Sequence, residues 1–202
     1  MLQNIADTML EKHEYDVVFQ NVQIVNVYND TIAKGEIGII EGKIGKIAYD
    51  GKHLKAKKYI DGKNMFALPG FIDSHMHLES SMLTPNHFAE IALSCGTTTV
   101  AADPHEIANV MGIKGVESLV EACLNLPLNV FVFAPSTIPS LPGFETSGFD
   151  VTNKEMEEML KLNGVIGLGE VMDFNAVSHG EKRMIDIIQA ASDKGVLLDG
   201  HV

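Results

Sequence analysis

Two rhythms of apolar residues run along the chain. From Asp16 to about Ile60, Val and Ile recur at short intervals broken by turns. Val22, Ile24 and Asn26 alternate with Val25 and Val27, the two-residue period of a strand, before Asn29-Asp30 ends it in a loop. Ile37 to Ile40 and Ile44 to Ile47 flank Glu41-Gly42 and predict a hairpin. Further turns are expected at Asp50-Gly51 and Asp61-Gly62, and Lys52, Lys55, Lys57 and Lys58 suit a solvated loop or an edge strand. Residues 1–13 suit either a short helix or a loose extension.

After Asn64 the rhythm changes. Met65 to Ile72, Thr98 to Ala102, Val130 to Ala134, Val165 to Leu168 and Val196 to Leu198 are apolar runs of buried-strand length, with helical segments between them. Thr152 with Glu155 predicts a capping box, with Val151 and Met156 as its hydrophobic staple, and Ser178 with Glu181 repeats the pattern. Gly96, Gly164 and Gly195 sit where helices should end. Met156, Met159 and Leu160 read as core. Strand–helix alternation of this kind implies right-handed crossovers and a parallel sheet.

A polar residue closes four of these strands: His77, Asp103 with His105, Glu170, and His201. The third ends instead in Ala134-Pro135-Ser136. From His77 through Asp103, Ala134 and Glu170 to His201 the intervals are 26, 31, 36 and 31 residues, each the length of one β-plus-α unit. A (β/α)₈ barrel carries its active site at the C-terminal strand ends, so the layout reads as five consecutive barrel strands. A doubly wound sheet has the same rhythm but places ligands only at a switch point.

Composition narrows the chemistry. The 202 residues carry a net charge of −12 and a single arginine, Arg183. So acidic a chain is poorly suited to nucleic acid, polyphosphate or an anionic membrane surface. No apolar run reaches the 18 or so residues of a membrane span, and the N-terminus has no signal-peptide layout. Cys95 and Cys123 lie outside any CxxC pattern and read as two reduced thiols of a cytoplasmic protein.

His75-Met76-His77 is the sharpest chemical feature. On a strand, residues i and i+2 share a face, so both imidazoles enter the interior together and make half of a zinc, iron or manganese site. Asp73 could accept a hydrogen bond from a ligand imidazole. Glu170 at a strand end favours metal ligation. His105 and Glu106 suit either the substrate pocket or the cap of the next helix, and Glu79 either the site or a loop. Ser80 and Ser81 suit a turn, while His13, His53, His87 and His179 read as exposed or structural.

LPGFIDSHMH (68–77) resembles the first-strand signature of the amidohydrolase superfamily, and the β-rich segment resembles that superfamily's small β-sandwich. HMHLESSML (75–83), GTTTVAADPHEIANVMG (96–112), GLGEVMDF (167–174) and DGHV (199–202) are similar to its adenine deaminase branch. The resemblance implies an N-terminal extension over 1–15, a partial β-sandwich over 16–64 and an incomplete metal-dependent (β/α)₈ barrel over 65–202. It implies two divalent transition-metal ions, manganese or iron favoured and zinc admissible. His75 and His77 would hold one, His201 the other, and Glu170 would bridge them. An anionic bridge suits two dications about 3.5–4 Å apart. The implied activity is hydrolytic deamination of a purine base, adenine, to hypoxanthine and ammonia in purine salvage, by a metal-activated hydroxide attacking C6. Glu170 and His105 are the expected catalytic residues, with Asp73, Glu79, Asp103 and Glu106 either around the substrate or supporting the metal ligands.

Two other readings stand beside it. One is a cyclic-amide hydrolase of the dihydroorotase or hydantoinase kind, which usually has lysine where Glu170 stands. The other is a barrel fragment that binds metal or a partner without turnover. The HxE and PCxxC signature of the unrelated zinc deaminases is absent. The family pattern also requires a sixth-strand histidine and an eighth-strand aspartate that these residues do not supply. A whole barrel takes about 250 residues. We therefore expect an N-terminal portion of a longer, homo-oligomeric enzyme, inactive until the remaining strands complete it.

Overall fold

The computed structural model describes residues 2–10, 12–49 and 51–201, and it divides into two compact units, Met1–Pro69 and Gly70–Val202. In the first, helix α1 (Leu2–Met9) precedes strands β1 (Tyr15–Asn26), β2 (Thr31–Ile40), β3 (Lys43–Tyr49), β4 (Ala56–Asp61) and β5 (Phe66–Ala67). The order across the sheet is β3-β2-β1-β4, with β5 also on β1. β2 and β3 form the antiparallel hairpin expected around Glu41-Gly42, pairing Ile39 with Ile44 and Ile40 with Lys43. β4 is an edge strand whose Lys57 and Lys58 are exposed, and Lys57 Nζ meets Asp16 Oδ1 at 2.7 Å.

Tyr15, Val18, Ile40, Ala48 and Leu54 form the core of this unit, with Ile5 of α1 packed against them. The Tyr15 ring lies over two glycines of the neighbouring strands. A Cβ at Gly38 would come within 2.7 Å of that ring, and one at Gly45 within 2.9 Å. The other side of the hairpin keeps Ile44 and Ile47 exposed, and they help line an open apolar cavity of about 320 Å³ made wholly of first-unit residues.

The second unit is built on a five-stranded parallel sheet: β6 (Phe71–Met76), β7 (Thr97–Ala102), β8 (Asn129–Ala134), β9 (Val165–Val171) and β10 (Leu197–Gly200). Neighbours in space are neighbours in sequence throughout, the order of a barrel wall; no switch point of a doubly wound sheet occurs among the described residues. The helices are α2 (Pro85–Ser94), α3 (His105–Met111), α4 (Ile113–Cys123), α5 (Asn153–Met159), α6 (Phe174–Ser178) and α7 (Lys182–Asp193). Met156, Met159, Met184, Ile187 and Leu168, all 0% exposed, share the main core with Val116 and Val132.

Several local expectations change. The run Met65 to Ile72 is not one buried strand. Phe66–Ala67 pairs with β1, the chain breaks at Leu68-Pro69-Gly70, and β6 begins at Phe71. Proline lacks the N–H that a continuous strand would use there. That pairing also carries the first unit past Asn64. Phe71, Ile72, Leu197 and Leu198 are exposed because β6 and β10 are the sheet edges, each with one neighbour. The chain turns at Lys63-Asn64 rather than at Asp61-Gly62, since Asp61 ends β4 and its carboxylate accepts the Lys63 N–H at 3.2 Å. At the other expected turn, Asp50 lies outside the described residues.

The Thr152–Glu155 capping box forms, and Val151 and Met156 are buried in one cluster. The Ser178–Glu181 box does not. Ser178 ends α6 and donates to the Asn175 carbonyl at 3.1 Å, while Asp173 caps α6 by accepting the Ala176 N–H at 2.9 Å. Both cysteines are free thiols, and burial pushes Cys123 up to about 11. Among the described residues no helix is long and apolar enough to cross a membrane.

Gly38→Ala should destabilise the protein by about 1–3 kcal/mol, because the new methyl overpacks Tyr15. An exposed strand glycine would give the opposite sign, since alanine fits a strand better. Urea unfolding followed by circular dichroism reads the difference.

Candidate metal centre

Parallel strands in sequential order bring their C-terminal ends to one side of the sheet. His75 lies near the end of β6 and His77 just past it; Asp103 follows β7, Glu170 lies in β9, and His201 follows β10. The two imidazoles of the HxH do share a face, with ring centroids 5.1 Å apart and planes at 86°.

Hydrogen bonds fix the tautomers of that pair. His77 Nδ1 lies 2.8 Å from the Asp103 carbonyl, which only accepts, so the proton sits on Nδ1. His75 Nδ1 likewise donates to Asp199 Oδ2 at 2.7 Å. Both Nε2 atoms turn toward Glu170 Oε1, at 3.1 Å from His77 and 3.8 Å from His75. The other oxygen, Oε2, lies 2.6 Å from His201 Nδ1. Ligand atoms of His75, His77 and Glu170 all fall within 4.8 Å of one another.

Two nitrogen lone pairs aimed at one carboxylate oxygen repel unless a cation or a proton lies between them. Burial opposes charge on His77, but the Asp103 carbonyl and the carboxylates of Asp103, Glu106 and Glu170 outweigh it and raise its pKa. Burial also works against the charge of Glu170, and the hydrogen bond from His201 together with the histidines overrides it and lowers its pKa. Asp103, 0% exposed, is pushed up to about 7 chiefly by burial, and its Oδ1 has no hydrogen-bond partner. This donor set of imidazoles and carboxylates, with a buried carboxylate oxygen left over beside it, fits divalent transition metals.

The remaining expected residues take varied places. Asp73 does not hold a ligand imidazole; its Oδ1 accepts the His75 backbone N–H at 3.3 Å. Asp199 holds the ring instead, and it was legible as the i−2 partner of His201, the same spacing as the HxH. Glu106 Oε2 lies 3.9 Å from His77 Nδ1, and its Oε1 accepts from Ser80 at 2.5 Å. Glu79 turns its Oε1 to the Ile107 N–H of α3 at 3.2 Å, and burial raises its pKa.

His105 opens α3 and meets Ser140 Oγ at 3.3 Å, outside the group gathered at Glu170. Its pKa is lowered by burial. The other described histidines with hydrogen bonds have partners away from Glu170: His53 with Glu36, His87 with Thr84 and His179 with Asn175. Arg183 is engaged inside the fold, its Nη2 donating to the Ile138 carbonyl at 2.7 Å.

Known proteins resemble this chain along most of its length. An adenine deaminase of Staphylothermus marinus is 41% identical over 208 residues, covering 98% of this chain and 34% of its own. One from Klebsiella pneumoniae strain 342 is 43% identical over 187 residues, covering 93% and 31%. The chain thus spans about a third of the length of these curated relatives. Among solved structures, an adenine deaminase superposes with a TM-score of 0.61 at 22% identity, covering 89% of this chain and 49% of that one. The zinc-bound N-acyl-D-glutamate deacylase of Bordetella bronchiseptica superposes with 0.59 at 17% identity, covering 92% and 44%. At these identities the structures speak for the fold alone. The amidohydrolase family model matches residues 66–202, which hold every group gathered at Glu170, and the chain belongs to the amidohydrolase family.

Proposed function

We propose that this chain contributes the first half of a two-metal site to an enzyme that hydrolytically deaminates adenine to hypoxanthine and ammonia. The observation that carries the metal reading is the division of the Glu170 carboxylate, with Oε1 toward His75 and His77 and Oε2 toward His201. A carboxylate so divided suits a bridge between two cations. The base is taken from the relatives, whose names are those of adenine deaminases.

A divalent pair, when bound, makes hydroxide available at neutral pH and polarises the reacting group. The chain's own residues do the rest. His75 and His77 offer Nε2, because Asp199 and the Asp103 carbonyl hold their Nδ1 protons. Glu106, beside His77 and 46% exposed at its side chain, is the residue proposed to meet the substrate. His105, with Ser140, shapes the loop on that side. Replacing the amino group at C6 of a neutral base asks for no guanidinium, and Arg183 is already bonded to main-chain carbonyls. Manganese or iron is the metal pair favoured here, with a role in purine salvage.

Ammonia release from adenine by the manganese-loaded full-length enzyme is the expected result. Turnover of a cyclic amide with none of adenine would overturn the substrate. His75→Ala and Glu170→Gln should each lower kcat by more than about 100-fold, beyond the 10- to 100-fold typical of groups that merely support a ligand. Bound metal, measured on the same samples, should fall with it. Near-normal kcat in either variant removes that residue from the site.

A further inference from the structure

Glu170 lies past the last residue pair that joins β8 to β9, Ala134 with Leu168. Side chains that follow β7 and β8 take over its main-chain polar groups. Asp103 Oδ2 accepts the Glu170 N–H at 3.0 Å, and Ser136 Oγ donates to the Glu170 carbonyl at 2.7 Å. Asp103 and Ser136 are both 0% exposed. Ser136 Oγ also sits 2.7 Å from Thr137 Oγ1, which accepts the Met172 N–H at 3.3 Å, so the grip extends two residues further along the chain.

The seat for Asp103 is built into the strand. A Cβ at position 169 would collide with Asp103 Oδ2 and stand 3.1 Å from the Ala134 carbonyl, so only glycine lets that carboxylate reach the next N–H. Both bonds are buried and away from competing water, where losing one partner leaves a main-chain group unsatisfied. A carboxylate that must serve two sets of histidines at once has little tolerance for movement of its own Cα. Displacements below 1 Å matter at such sites.

We propose that Asp103 and Ser136 are positioning residues for the carboxylate bridge. Together they hold the Glu170 peptide from both sides, so that one carboxylate oxygen faces His75 and His77 while the other faces His201. The inference rests on Glu170 being a metal ligand.

Manganese(II) titrated into the metal-free full-length protein tests it, with thermal unfolding of the metal-free state measured alongside. Ser136→Ala and Asp103→Ala should each weaken manganese binding about 10- to 100-fold. Asp103→Asn keeps an acceptor for the Glu170 N–H and should return the affinity toward wild type, a rescue that depends on the hydrogen bond rather than on packing. The metal-free Tm of Ser136→Ala should fall only by the few degrees that one unsatisfied buried carbonyl costs, leaving the protein folded at the temperature of the titration.

Wild-type affinity in both alanine variants overturns the clamp. So does a loss that only mirrors a fall in metal-free Tm, or one that Asp103→Asn fails to relieve. Glu170→Gln separates the two levels. If it too binds manganese like wild type, the metal reading itself fails. If it alone loses manganese, the metal reading stands and the clamp falls.

Discussion

Electron-rich atoms are held together at Glu170 against their own repulsion, and the second unit is arranged around that constraint. Carboxylate oxygens and imidazole lone pairs do not gather unaided. Each is brought in by a bond made elsewhere: Asp199 orients His75, the Asp103 carbonyl orients His77, and Asp103 with Ser136 holds the Glu170 peptide. A cation would turn this unfavourable cluster into a favourable one, because the ligand atoms of His75, His77 and Glu170 lie within 4.8 Å of one another.

The scaffold supplies the precision. Parallel strands in sequential order put five C-terminal ends side by side, and the sheet curls so that its two edge strands meet at that end: His75 of β6 and Asp199 of β10, 124 residues apart, come within 2.7 Å. Behind them the buried methionines of α5 and α7 pack with Leu168 of β9. Those side chains adapt to irregular gaps. Leu168 lies two residues from Glu170, so the core that stabilises the sheet also fixes the strand carrying Glu170.

Features carried by periodicity were legible in the sequence. The HxH, the strand-end glutamate and the spacing of β-plus-α units each depend on a repeat that local backbone geometry enforces. The capping box at Thr152 belongs to the same class. What could not be read was decided by distant partners or by competition between neighbours. Ser136 lies in the loop after β8, and nothing near it in sequence announces that its hydroxyl meets Glu170, 34 residues on. Asp73 was the partner expected for a ligand imidazole, and the closeness of β6 and β10 in space gives that place to Asp199. Ser178 with Glu181 satisfied the capping pattern, yet Asp173 had already started a helix that Ser178 ends. The long apolar run across Met65 to Ile72 concealed a proline that hands the chain from one sheet to the next.

The glycine before Glu170 constrains how this sequence can vary. Gly169 does not owe its identity to an unusual backbone angle; it is held by the carboxylate of Asp103 occupying the space where a side chain would go. The two positions, 66 residues apart in the chain, therefore share one volume. Enlarging residue 169 while Asp103 remains is a steric conflict, and shrinking residue 103 while Gly169 remains opens a hole. Substitutions that change the size of either side chain are therefore expected to depend on the residue at the other position.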